Sequence, residues 1–184
     1  RQPVSQRGFW LALPSRIMST KPPVERVHPP NWLMRLVNPV TKRMVERGRG
    51  KMADRLVVLQ FTARKTGRAF EIPIGHRVID GRMAILTNSR WRHNFAGGAD
   101  IVVKRKGQAI PARAELLDDP DEVALIYNRL IGEIGWEKAG RQLGIKINDG
   151  RRPTHEELEA MIRKSGLSVV WLDPRDETQA RPAL

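Results

Sequence analysis

Three cations surround one glycine in Arg64-Lys65-Thr66-Gly67-Arg68, between the apolar runs "RLVVLQFTA" and "AFEIP". Guanidinium and ammonium groups, a hydroxyl and backbone amides beside a glycine make a donor set suited to phosphate or carboxylate oxygens. Taken alone, the stretch equally describes a solvated charged turn. A second concentration of polar chemistry lies in "LTNSRWRHNFAGGADIVV", where Thr87, Asn88 and Ser89 leave a strand and enter Trp91-Arg92-His93-Asn94-Phe95. Trp91 and Phe95 stand one helical turn apart, so a single face of a short helix carries both. By spacing alone, core packing accounts for each aromatic.

Other chemistries find little support. There is no cysteine, which excludes disulfides, thiolate metal sites and cysteine nucleophiles and favours an intracellular, cytoplasmic setting. His155-Glu156-Glu157-Leu158-Glu159 begins like a zinc-protease helix, but the position of the second histidine is Glu159, so the metal reading fails. His28, His76 and His93 are scattered singly. No nucleophile elbow, P-loop or dinucleotide fingerprint appears. The 33 Lys and Arg against 20 Asp and Glu give a net charge of +13, which points to anionic partners without choosing among phosphates, nucleic acid and a membrane surface.

The elements that must position these residues follow from periodicity. The 184 residues suit one domain. Residues before Met18 are set aside as upstream sequence, "GFWLALP" being too short for a secretory core. Pro22, Pro23, Pro29 and Pro30 predict an extended lead-in, with residues 1–30 outside the body of the fold. Trp32, Leu33, Leu36, Val37, Val40, Met44 and Val45 recur at helical spacing and predict an amphipathic helix, packed on the domain or, in a sharper reading, touching anionic lipid. No run approaches the roughly 20 apolar residues of a membrane-spanning helix. "RLVVLQFTA", "AFEIPIGHRVI", "RMAILTN" and "DIVVKRKGQAIPARAELL" read as about five antiparallel strands, with hairpin turns at Asp80-Gly81 and Lys106-Gly107. Asp119 and Glu122, then Thr154 and Glu157, form capping boxes opening two helices. Val123, Ile126, Tyr127, Leu130 and Ile134 form the buried stripe of the first, and "LSVVWLD" closes the body as a strand at about residue 174. The pattern predicts a mainly β, α+β fold: an antiparallel barrel with helices packed outside it and an N-terminal amphipathic helix.

A helix containing "RLVNPV", a strand ending in the Ala-Arg-Lys-Thr-Gly-Arg turn, Pro73, a Trp-x-x-Asn-Phe helix followed by Gly-Gly-Ala, and a strand ending before "KGQ" occur in that order. From about Asn31 to Asp173 this arrangement resembles the deazaflavin-dependent nitroreductase family. The resemblance implies a split β-barrel of the flavin-reductase type that binds coenzyme F-420, an anionic deazaflavin with a phosphate and a polyglutamate tail. It assigns Arg64, Lys65, Thr66 and Gly67 to the phosphate and carboxylates, and Pro73 and Ile74 to the flanks of the ring. It assigns Thr87, Asn88 and Ser89 to the ring edge or phosphate, and Trp91, Asn94 and Phe95 to the wall, with Asn94 alternatively bonding backbone at the helix end. The implied activity is hydride transfer to a small electron-poor acceptor such as a quinone, an activated alkene or a nitroaromatic, and a homodimer is also implied. Nitroreducing members carry tyrosines after the barrel helix. This chain has "GEIGWEKAGRQLGI" there, with Trp136, and its one tyrosine is Tyr127. Beside this reading stand a relative that holds FMN, another flavin, haem or a fatty acid, and a basic nucleic-acid-binding barrel, which charge alone favours.

Overall fold

The structure, a computed structural model, describes residues 21–27 and 56–175. The expected amphipathic helix, the stretch before Met18 and the tail beyond Arg175 lie outside the described residues. In chain order the elements are β1 (Val24–Arg26), β2 (Leu56–Thr62), β3 (Ala69–Gly75), β4 (Arg77–Ile79), β5 (Arg82–Thr87) and a 3-10 helix (Arg90–Phe95). Then come β6 (Ala99–Arg105), β7 (Gln108–Leu117), α1 (Pro120–Ile134), α2 (Trp136–Leu143), β8 (Ile145–Ile147), α3 (His155–Ser165) and β9 (Ser168–Pro174).

Seven strands form one sheet in the order β3-β2-β6-β7-β9-β5-β4, and every neighbouring pair is antiparallel. The alternating run "AFEIPIGHRVI" reads as one strand, but it breaks at His76, so β3 forms one edge of the sheet and β4 the other. With a single residue between them, the two edges lie within about 7 Å of each other at that point, and the sheet has to curl round. The result is a mostly antiparallel, curled half-barrel with helices beside it, the expected α+β class.

Alternation along the strands supplies two apolar layers. Val170 and Leu172 of β9 and Ile85 of β5 face inward, with Val57, Leu59, Phe61, Phe95, Ile101 and Val103. Val169 of β9 and Ala84 of β5 face outward, where Val123, Tyr127, Leu130 and Ile131 of α1 and Leu158 and Ile162 of α3 cover them. The stripe of α1 is rotated slightly from the expected one: Ala124 and Ile131 are buried, whereas Ile126 and Ile134 are only partly so.

Local signals largely fix the ends of these elements. Asp80 and Gly81, and likewise Lys106 and Gly107, all take positive φ, as two-residue hairpin turns require. Thr154 and Glu157 complete a reciprocal capping box at α3. At α1 only half of the expected box forms: the Asp119 carboxylate accepts from the Glu122 amide at 3.0 Å, with Pro120 in the first turn. The lead-in is extended where it is described, but its described part does not lie outside the body of the fold as expected. Val24 to Arg26 pairs antiparallel with Ile147 to Ile145, and Val24 is buried in the helical layer.

Candidate anion-binding site

The cationic turn closes on itself before it touches anything else. The Ala63 amide donates to the Arg68 carbonyl at 2.8 Å and the Gly67 amide to the Ala63 carbonyl at 2.9 Å. Gly67 has φ of +68°, the left-handed region that a side chain makes costly. Arg64, Lys65, Thr66, Gly67 and Arg68 are all exposed. The Arg68 guanidinium lies 5.6 Å from the centroid of the Phe70 ring, a cation–π contact on the flank of the turn.

Asn94 joins this turn to the 3-10 helix. Its Oδ1 accepts from the Arg64 backbone amide at 2.9 Å, and its Nδ2 donates to the Trp91 carbonyl at 2.8 Å. The Arg64 guanidinium donates to the Gly98 carbonyl at 3.2 Å, and Arg113 donates to the Gly97 carbonyl at the same distance. The Gly97-Gly98 pair, which sequence reasoning gave no role, thus presents carbonyls to two arginines. Beneath the junction, Phe61 stacks on Phe70 at 5.5 Å and meets Phe95 edge-on at 5.0 Å, and Trp91 lies 5.8 Å from Phe95. Phe95 is fully buried and Trp91 half-buried. Phe95 therefore supports the surface from behind, as core packing predicts, and Trp91 reaches the surface.

The remaining assigned residues have other engagements. The Thr87 hydroxyl is buried and accepts from the Ser89 amide at 3.1 Å. The Asn88 side chain donates to the Ser165 carbonyl at the end of α3 at 3.3 Å. Arg92, unassigned from sequence, holds this loop: it donates to the carbonyls of Asn88 and Ser89 at 2.7 and 3.0 Å and to the Ser168 hydroxyl at 3.1 Å. Burial lowers the Arg92 pKa, with the Asp118 charge opposing. On β3, Ile74 packs against the barrel interior, and Pro73, the next residue in an alternating strand, faces the other way.

What distinguishes the turn is its electrostatics. Among the described residues, Arg82, Arg113, Arg129, Arg151, Arg163 and Arg175 all pair with carboxylates. Arg64, Lys65 and Arg68 pair with none there; Arg26 and Arg141 also lack one, and the turn differs in bringing three such cations together. Three neighbouring cations without a carboxylate, a threonine hydroxyl and open space around Gly67 make a donor set that fits a phosphate or a run of carboxylates.

Two other features bear on chemistry. Asp121, His155 and Glu159 bring their ligand atoms within 4.8 Å of one another, a set hidden from a search along α3 alone because Asp121 comes from α1. His155 Nε2 lies 2.6 Å from Asp121, Glu159 is held by Arg163, and the buried His155 Nδ1 has no partner. A metal-bound imidazole normally donates from its second nitrogen, so the arrangement reads as a side-chain hydrogen bond between α3 and α1. Tyr127 is fully buried, and burial raises its hydroxyl pKa far above the usual value. It is core, as expected, and not an exposed proton donor.

No family model matches this chain, and no curated protein matches it significantly. Among solved structures, it is similar to the conserved hypothetical protein Rv2991 from Mycobacterium tuberculosis. That likeness is 13% in identity, covers 73% of this chain and 88% of the other, and has a TM-score of 0.38, too distant to carry an argument about the site. No helix among the described residues is long and apolar enough to cross a membrane.

Proposed function

We propose that the chain binds an anionic deazaflavin of the coenzyme F-420 type at the Arg64–Arg68 turn and serves as an oxidoreductase toward small electron-poor acceptors such as quinones. The observation that carries this reading is the exposed group of Arg64, Lys65 and Arg68, without a carboxylate partner among the described residues and tied by Asn94 to the 3-10 helix. The order of the "RKTGR" and "WRHNF" segments along the chain supports it further.

When bound, such a deazaflavin supplies a hydride, two electrons together, to the acceptor. The protein's part is to bind and orient. Arg64 and Lys65 would neutralise phosphate and carboxylate charge, and the Thr66 hydroxyl and backbone amides of the turn would add neutral donors. Asn94 holds the turn at a fixed distance from Trp91, whose half-buried ring offers an apolar wall against water. Tyr127 is sealed in the core, so the proton that completes acceptor reduction comes from solvent or from another acidic side chain.

Mixing the protein with reduced F-420 and a quinone tests the reading. Formation of oxidised F-420 at a rate proportional to protein concentration is expected. If the protein neither binds the cofactor nor accelerates its oxidation, the proposal fails.

A further inference from the structure

We infer a second ligand site, for a small amphipathic organic anion, at the opposite end of β3 from the cationic turn. A cavity of about 810 Å³ opens there between β4, the end of α2 and β1. The seven residues of β3 place it roughly 20 Å from the turn. Its volume falls in the range of small-molecule pockets. Arg26, Arg77 and Arg141 contribute to its lining, as do the apolar side chains of Ala84, Leu86 and Leu143, and no carboxylate residue does among the described residues.

Arg26 and Arg77 have a structural task at the end of α2. Arg26 donates to the carbonyls of Leu143 and Gly144, each at 2.8 Å, and Arg77 donates to the Gln142 carbonyl at 2.5 Å, so both cap the last turn of α2. Gly144 has φ of +65°, a backbone conformation that favours glycine, and the Arg26 guanidinium lies close against it. A helix C-terminus carries only about half a negative charge. Arg26 and Arg141 alone bring two full positive charges, and neither forms an ion pair with the described residues. The Arg26 Nε is moreover buried without a hydrogen-bond partner, and a shielded donor of a charged group left unsatisfied is costly.

A guanidinium presents several donors in a plane suited to an oxyanion. Cationic donors beside aliphatic side chains select a ligand with an anionic head and an apolar body. The head is a carboxylate or a phosphate monoester. This site shares no residue with the cationic turn, so it stands or falls independently of the cofactor reading.

Calorimetric titration of the full chain with octanoate, octyl phosphate and octanamide tests the inference. One or both anions should bind, and the tighter one identifies the head group. The neutral amide should bind at least about tenfold more weakly, and Arg141→Gln should weaken anion binding roughly tenfold, in line with the loss of one charge-assisted hydrogen bond. Arg141 is exposed, so this variant retains the fold. Arg163→Gln makes an equal change in net charge on α3 and should leave affinity unchanged. The inference is overturned by equal binding of acid and amide, by the absence of binding of all three at millimolar concentration, or by equal losses in the two variants.

Discussion

Replacing Asn94 by alanine tests the joint on which the candidate site depends. The change removes the acceptor for the Arg64 amide at 2.9 Å and the donor to the Trp91 carbonyl at 2.8 Å. An intramolecular hydrogen bond contributes about 0.5–1.5 kcal/mol net. Asn94 is half-buried and Arg64 exposed, so water can satisfy the abandoned amide and each loss falls in the lower part of that range. The expected sum is about 1–2 kcal/mol, and a domain of this size loses about 2–4 °C in melting temperature per kcal/mol. Urea unfolding followed by tryptophan fluorescence gives the midpoint and the slope. The midpoint should fall with the slope unchanged, since the same surface is exposed on unfolding. Asn94→Asp keeps an oxygen toward the Arg64 amide but sets a carboxylate oxygen against the Trp91 carbonyl, so it too should be less stable than the wild type. An alanine variant as stable as the wild type would refute the bridging role.

Three further outcomes follow from the same geometry. Gly67→Ala meets open space but must hold φ at +68°, so it should cost about 1–2 kcal/mol of stability through backbone strain alone, read as a lowered urea midpoint. Phe95→Ala empties a fully buried position among Phe61 and Trp91 and should cost about 3–5 kcal/mol, enough to show in a thermal melt. The hydrogen bond from Arg151, chiefly, holds the Glu157 carboxyl below its usual pKa, against the cost of burial and helped by the Thr154 amide. A depressed folded-state pKa means that this contribution is complete above the ordinary glutamate value and is lost as pH falls below it through the folded-state value. Unfolding midpoints of wild type and Glu157→Gln between neutral and strongly acidic pH should therefore converge, and a gap independent of pH would show that the ion pair adds nothing.

Features written in a few adjacent residues were legible in the sequence. The hairpin turns at Asp80-Gly81 and Lys106-Gly107 and the capping box at Thr154 depend on local backbone preferences, and each forms where expected. The break at His76 was not legible, because alternation continues straight through it. Only the assignment of β3 and β4 to opposite edges of the sheet reveals the interruption. Helix α2 and strand β8 were also missed: "GWEKAGRQLGI" places glycines at both ends and in the middle of a short helix, and its stability comes from packing on α1 and from the Arg26 and Arg77 caps. For the candidate site, sequence identified the cationic turn and the "WRHNF" helix, and Asn94 brings them together. It could not show that Thr87 and Asn88 are taken up in holding the loop, or that Pro73 and Ile74 face opposite ways, since both facts depend on partners far along the chain or on the curl of the sheet.

Titration of oxidised F-420 into the wild-type protein and into Arg64→Ala and Lys65→Ala, followed by cofactor fluorescence, tests the central claim most directly. Saturable binding is expected, with each variant weaker by roughly tenfold as one charge-assisted contact is lost. Unchanged affinity in both variants would contradict the claim that this turn holds the anionic cofactor.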